Sequence, residues 1–569
     1  MRIAIAQLNF TVGDFEGIKA RALDAIQRAR SERADLVIFS QLAAVGGPCG
    51  DLVERPDVLA ASRALVDEVA RQSDDHFAIL IGFAEANTAR LGRRAWNSAA
   101  LCLGRRVHNI YRQSTPGVAD YAGTNDRNFE PAPPQQPLTL RGTALAVSIG
   151  NDLWNVADSL GRPLQPTPTA FATAARGARL AIHLDADPWY WGRPEERLEI
   201  LAQEATTQGR FVVFANQVGA QNEVVYDGRS MIVAPNGDVV AQGAAFQEDL
   251  ILYDIPHGTL GEKRSTAAAT GKSASSHFAH LSEEDETLRA LILGVKDNVT
   301  KAGFSKVALG LSGGIDSALV AAIAVDALGA ENVLGIGMPS PYSSDHSIAD
   351  ARALAQNLGI RFELVPIHDI YQATKNSLAP LFEGRPEDVT EENIQSRARG
   401  LIMMSISNKF GHYILTTGNK SEGAVGYSTL YGDMCGSLAV ILDCPKTLVY
   451  RLSRHYNALH GAAGIPENTI VKPPSAELRP DQLDQDSLPP YDALDGILER
   501  YVIQLKSVQE IIQEGFDPED VRRVVHLINL NEYKRGQAAP GIRVTRRSFG
   551  VGRIYPTVMN LRSLITRGA

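Results

Sequence analysis

Cysteine is scarce. Cys49, Cys102, Cys435 and Cys444 are the four in 569 residues, with no CxxC pair and no zinc-like spacing. That excludes a disulfide-stapled scaffold and a cysteine zinc module, and it fits a reducing compartment. Long apolar runs are missing too. No stretch approaches the roughly 20 residues needed to span a bilayer. The opening Met1-Arg2-Ile3-Ala4-Ile5-Ala6 goes straight into a strand-like run and has no signal-peptide anatomy. Charge of one sign is not in large excess: a net −9 argues against a general nucleic-acid or anionic-membrane binder. No internal repeat marks a solenoid. The expectation is a cytoplasmic enzyme acting on small molecules.

What is present is an ordinary globular composition, 44% apolar and 21% charged, in a chain long enough for more than one domain. Over 1–258, β-branched runs recur at 3–6, 36–39, 78–81, 144–147, 180–184, 211–214, 231–233 and 250–253. Helix-like stretches at 17–32 and 194–208 separate some of them, which predicts an α/β domain. The small, polar stretch 259–282 reads as a linker. Over 283–569, strand-like runs at 307–311, 333–338, 361–365 and 413–417 alternate with helices, the pattern of βαβ units and a parallel sheet. Ligands in such sheets sit outside the carboxyl ends of the strands. The polar clusters 312–317, 339–344 and 417–422 all fall there. The Pro-, Asp- and Gln-rich 473–491 reads as a mobile loop, and the C-terminal stretch is Arg-rich (Arg543, Arg546, Arg547, Arg553).

The most informative run is Gly310-Leu311-Ser312-Gly313-Gly314-Ile315-Asp316-Ser317. A small-residue turn between strand and helix leaves backbone N–H groups free at a helix N-terminus, which suits an anion. Two glycines allow a phosphate to approach the backbone. Asp316 adds a hard oxygen ligand of the kind that phosphate-bound Mg²⁺ favours. The competing reading is a tight turn with no ligand. A Walker A loop is excluded, because Gly271-Lys272-Ser273 has Thr266 where that motif needs its first Gly.

Three further segments decide between these readings: Thr416-Thr417-Gly418-Asn419-Lys420-Ser421-Glu422, the pair Pro474-Ser475-Ala476-Glu477-Leu478-Arg479 and Asp484-Gln485-Asp486-Ser487-Leu488-Pro489-Pro490-Tyr491, and Glu532-Tyr533-Lys534-Arg535. With the S-G-G-I-D-S loop, which resembles that of ATP pyrophosphatases, the region 285–555 resembles the synthetase domain of the glutamine-dependent NAD⁺ synthetases. The resemblance implies a Rossmann-like, adenine nucleotide α-hydrolase-like parallel sheet. It implies amidation of deamido-NAD through an adenylylated intermediate, with ATP as co-substrate, Mg²⁺ as metal and a homo-oligomeric assembly. It places ATP on 310–317 and Thr417, and deamido-NAD on Asn393, Glu422 and Lys534. Asp316 and Glu422 would take the metal, and Asp316, Ser312 and Lys534 would serve catalysis. Arg397 and Arg399 suit bidentate contact with substrate phosphates and, equally, a solvated helix face. Met338 and Ser340 would border the adenosine, with core packing the alternative for Met338.

The first domain resembles the nitrilase-like glutaminase of that family. The matching stretches are Arg2-Ile3-Ala4-Ile5-Ala6-Gln7, Asn97-Ser98-Ala99-Ala100 and Asn216-Gln217-Val218-Gly219 leading to Asp227-Gly228-Arg229-Ser230. The implied fold is a four-layer αββα sandwich. The family's Glu base, Lys and Cys nucleophile fall here on Gln41, Gln113 and Gly150. An amide takes no proton and glycine offers no thiolate. The family's N-A-S-P reads Asp185-Ala186-Asp187-Pro188, and Arg193 stands where a Lys is usual. Cys49 and Cys102 lack the Glu–Lys pair. The first domain is therefore expected to be silent and free ammonia to be the nitrogen donor. The alternatives are a separate glutaminase partner and a non-catalytic sensor or assembly role.

Overall fold

The computed structural model describes residues 1–115, 128–154, 169–256, 278–461, 464–479, 482–550 and 552–566. Most of the expected linker, 259–277, lies outside the described residues. The chain divides into two compact units, Met1–Gly219 with Tyr226–His280 and Ala220–Val225 with Leu281–Ala569. The short Ala220–Val225, expected in the first domain, groups with the second because its backbone bonds there: Ala220 N–H donates to Asp297 Oδ2 (2.7 Å) and Glu223 C=O accepts from Arg543 N–H (2.8 Å).

The first unit contains two six-stranded sheets. One runs in the order Asp249–Asp254, Arg2–Gln7, Leu36–Phe39, Ala78–Ala86, Ala95–Leu103, Arg106–Arg112; the other in the order Val239–Gln242, Met231–Val233, Phe211–Ala215, Leu180–Leu184, Thr143–Ile149, Leu138–Leu140. Alternation along the strands divides the side chains between layers. Ile3, Ile5, Leu36 and Ile38 pack with Leu145, Leu180, Ile182 and Val213 of the other sheet. Ala4, Ala6, Val37 and Phe39 face the helices Phe15–Ser31 and Pro56–Ala70 through Ile18, Ala22, Leu65 and Val66. On the far side, Val212, Phe214 and Ala181 pack against Leu201 and Ala205 of the helix Arg193–Gln208. This is the expected αββα sandwich. The helix predicted over 17–32 begins at Phe15 because Asp14 caps it, accepting from Gly17 N–H at 3.0 Å; such a cap stabilises by about 1 kcal/mol.

The second unit is built on a five-stranded parallel sheet in the order Arg361–Leu364, Val333–Gly337, Val307–Gly310, Tyr413–Thr416, Leu438–Ala439. Val307 lies opposite Val333 on one side and Tyr413 on the other. From Val307–Gly310 the chain runs outward through two strands on one side, then crosses to Tyr413–Thr416 on the other. The central strand is therefore a topological switch point, where an open parallel sheet leaves a crevice at its carboxyl edge. The helix Ile315–Leu328 is buried along most of its length, as a helix behind a central strand must be. Among the described residues, no helix is long and apolar enough to cross a membrane.

Candidate active site

A cavity of ≈ 330 Å³ opens at the switch point. Its floor is the turn after Val307–Gly310. Gly310, Leu311, Ser312, Gly314, Ile315, Asp316 and Ser317 line it, and Thr417 and Glu422 face them from the turn after Tyr413–Thr416. The helix starts at Ile315, so Asp316 lies in its first turn. The turn is organised by its own hydroxyls. Ser317 Oγ donates to Gly314 C=O (3.0 Å), Ser312 N–H donates to Ser317 Oγ (3.3 Å) and Gly314 N–H to Ser312 Oγ (3.2 Å). Gly313 does not line the cavity. It has φ +79, and a Cβ there would lie 2.3 Å from Ser347 C=O. Gly313→Ala is expected to strain the turn by about 1–3 kcal/mol. The check is the KM for ATP, which rises in the variant; an unchanged KM would contradict the close-approach argument.

The electrostatic centre is a cation that the motifs did not single out. Lys446, with its side chain 2% exposed, contacts Asp316 Oδ2 through Nζ and reaches Glu422 Oε1 at 3.3 Å. Asn419 Nδ2 donates to the other Asp316 oxygen at 3.0 Å, fixing the carboxylate's orientation. Burial would drive Lys446 towards neutrality, but Asp316 and Glu422 outweigh it and hold the ammonium charged. Burial raises Glu422, Asp316 and Asp484 add to the rise and Lys446 pulls against it, leaving the carboxyl pushed up to about 8. Asp484 accepts from Tyr491 O–H at 2.8 Å and also lines the cavity. Lys446 opens the helix Lys446–His460. A cation at a helix N-terminus opposes the macrodipole, so its presence calls for a reason. That was the one sequence signal for it.

The remaining expected residues divide. Met338 lies on the wall, as does Arg399, whose Nε donates to Met338 C=O at 3.1 Å; burial lowers its pKa against the pull of Asp433 and Glu477. Arg397 is exposed and donates to Leu430 C=O (3.3 Å), off the wall. Ser340 forms a turn instead of lining the cavity, its Oγ accepting from Tyr342 N–H at 3.1 Å. Asn393 is also off the wall, its Oδ1 taken by Thr429 Oγ1 (2.8 Å). Lys534 donates to the carbonyls of Gly426 (2.8 Å) and Ser428 (2.7 Å), just past the helix Lys420–Val425. It satisfies carbonyls of the turn that follows the helix, and the structure does not bring its ammonium to the wall.

Asp316 and Glu422 suit Mg²⁺ in donor type, since one or two carboxylates with substrate phosphates are its usual set. Both point at one spot, marked by the shared Lys446 contact. Among the described residues no group of three or more His, Cys, Asp or Glu converges on a metal site, so the remaining ligands would come from phosphate and water.

In the first unit, Gln41, Gln113 and Gly150 meet. A Cβ on Gly150 would lie 3.0 Å from Gln113 Nε2 and 3.1 Å from Gln41 Oε1. Both glutamines are buried, and Asn97 Nδ2 holds Gln113 Oε1 at 2.9 Å. The nearby acid and cation are one feature: Asp187 and Arg193 form a bidentate pair at 2.8–3.1 Å, extended through Arg197 to Asp227. Burial pushes the Cys49 and Cys102 thiols up to about 12.

Comparison with known proteins agrees with both halves. Residues 2–265 match the carbon-nitrogen hydrolase family and residues 287–538 the NAD synthase family. The chain is 39% identical over 574 residues to the glutamine-dependent NAD(+) synthetase of Thermotoga maritima, covering 97% of each chain. It is 42% identical over 555 residues to the protein of that name from Synechocystis sp., again covering 97% of each. The glutamine-dependent NAD+ synthetase of Acinetobacter baumannii, solved in complex with ADP, superposes with a TM-score of 0.71 at 33% identity, covering 98% of each chain.

Proposed function

Since the chain belongs to the glutamine-dependent NAD(+) synthetase family, it is a carbon–nitrogen ligase, and we propose that it amidates deamido-NAD with ATP and free ammonia. The pyridine carboxylate attacks the α-phosphorus of ATP, the bond to the β-phosphate oxygen breaks and pyrophosphate leaves. Ammonia then attacks the acyl carbon, AMP departs with the carboxylate oxygen, and nitrogen gives up a proton. The first turn of Ile315–Leu328 offers backbone N–H groups to the polyphosphate, with the Ser312 and Ser317 hydroxyls on the same wall. Lys446 neutralises charge at the reacting phosphorus, and its contacts with Asp316 and Glu422 fix the ammonium in place. Asp316 and Glu422 would hold Mg²⁺, which would supply charge neutralisation to the substrate phosphates.

The nitrogen source rests on one observation: the Gln41–Gln113–Gly150 cluster carries no thiol, no base and no cation. Turnover with ammonium against turnover with glutamine tests it. Simple reversion also meets resistance, because a Cβ at 150 would press on both amides and the backbone there stands at φ +52. Gly150→Cys alone is expected to release no ammonia from glutamine. The check is a coupled glutamate assay; release by the single variant at a rate comparable with synthesis would contradict the reading.

A further inference from the structure

One carboxylate beside the cavity has no part in the chemistry above. Glu477 stands at φ +48, a left-handed conformation that a non-glycine residue adopts at a cost and that tends to persist where the surroundings enforce it. Four donors converge on its side chain. Oε1 accepts from Ser344 Oγ (2.9 Å), Ser347 Oγ (2.6 Å) and Lys472 Nζ (3.1 Å), and Oε2 from Ser344 N–H (3.3 Å). Burial opposes its ionisation, but the bonds from Ser347, Lys472 and Ser344 outweigh burial and hold the carboxyl below its usual range.

Ser344 caps the helix Asp345–Leu358 and Ser347 lies in its first turn. The backbone of Ser347 is the surface on which Gly313 of the phosphate turn rests. One carboxylate therefore ties its segment to the helix behind that turn. The segment also closes on itself. Leu478 N–H donates to Gln482 Oε1 (2.8 Å), Asp484 N–H to Pro474 C=O (3.2 Å), and Gln395 Nε2 donates to Leu478 C=O (2.9 Å). Lys472, Ser475 and Asp484 all reach the cavity wall from it.

We propose that Glu477 is a positioning residue for the synthetase reaction: by clamping its segment to Ser344 and Ser347 it holds Asp484 and the Lys472 ammonium against the polyphosphate. Within the stretch expected as a mobile loop, Glu477 is the side chain that ties it to Ser344 and Ser347. Freed from it, the segment lets water in and loosens the wall around the reacting groups. The inference rests on the synthetase reading, and one assay separates the two. Wild-type protein, Glu477→Ala, Glu477→Gln and the double variant Ser344→Ala/Ser347→Ala are compared with ATP, deamido-NAD, Mg²⁺ and ammonium.

Glu477→Ala is expected to lower kcat by about 10–100-fold, the scale of a small misplacement of reacting groups. Its KM for deamido-NAD stays within about twofold and its melting temperature within about 2 °C, since the site is peripheral to the core. Glu477→Gln, which keeps an acceptor oxygen, falls between. The serine double variant, which leaves Glu477 in place, reproduces the loss. Wild-type kcat in both Glu477→Ala and the serine variant would overturn the positioning role, as would a loss matched by a fall in melting temperature and unrelieved in Glu477→Gln. Failure of the wild type itself to turn over would sink the synthetase reading instead.

Discussion

Lys446→Met is expected to lower kcat/KM for ATP by about 10²–10³-fold, the usual cost of removing one preorganised charge at a reacting centre. Methionine keeps the length and most of the apolar contact of the stem, so the change isolates the ammonium. In the native protein that ammonium is buried between Asp316 and Glu422. Without it, Asp316 and Glu422 lose the cation they share. Glu422, already pushed up to about 8 by burial with Asp316 and Asp484 adding to the rise, loses the one partner that lowers it. It then holds its proton more tightly still, and a divalent cation must displace that proton at greater cost. Steady-state kinetics on a variant whose circular dichroism matches the wild type is the check. A kcat/KM within threefold of wild type would remove Lys446 from the site.

Arg197→Met is expected to destabilise the first unit by about 3–5 kcal/mol, the cost of stranding a buried charge. For a unit of this size that is roughly 10 °C in melting temperature. The Arg197 side chain is 0% exposed and donates to Asp187 (2.8 Å) and to both oxygens of Asp227 (2.9 and 3.1 Å). With Arg193 these residues form a neutral quartet. Burial opposes the charge on each arginine, but Asp187 outweighs it at Arg193, and Asp227 with Asp187 at Arg197. Burial likewise raises Asp187, and the arginines outweigh that and hold it below its usual range. The sign follows. Asp187 binds a proton more readily unfolded than folded, so its stabilisation is complete above the ordinary carboxylate pKa of about 3.9. It is lost only as pH falls through the lower native value. Replacing Arg197 and Asp227 together with apolar residues removes both charges and should cost less than Arg197→Met alone. Calorimetry on the two variants decides; a double replacement that costs as much as Arg197→Met or more would contradict the stranded-charge argument.

Much of this was legible in the sequence. Ile3 and Ile5 alternate with Ala4 and Ala6, and that period alone marks a strand with two buried faces. The turn at Ser312–Ser317 carries its own chemistry, because glycine, hydroxyl and carboxylate requirements are local. Lys446 was not legible in the same way. It lies 130 residues from its partner Asp316, and Asp443-Cys444-Pro445-Lys446 shows no motif; only the awkwardness of a cation at a helix start hinted at it. Asp187 and Arg193 looked like two separate departures from a pattern, and only the side-chain geometry makes them one ion pair. Lys534 and Asn393 illustrate the reverse limit. A matching residue type does not say whether its polar end faces a substrate or a neighbouring carbonyl, and both of these bond to neighbouring protein groups.

The central claim is that synthesis at the second unit's cavity proceeds without a working glutaminase in the same chain. The direct measurement is NAD formation by the purified protein, freed of ammonia, given ATP, Mg²⁺ and deamido-NAD with either ammonium or glutamine as the only nitrogen donor. The account predicts turnover with ammonium and none above background with glutamine. Glutamine supporting turnover as fast as ammonium, with stoichiometric glutamate released, would contradict it.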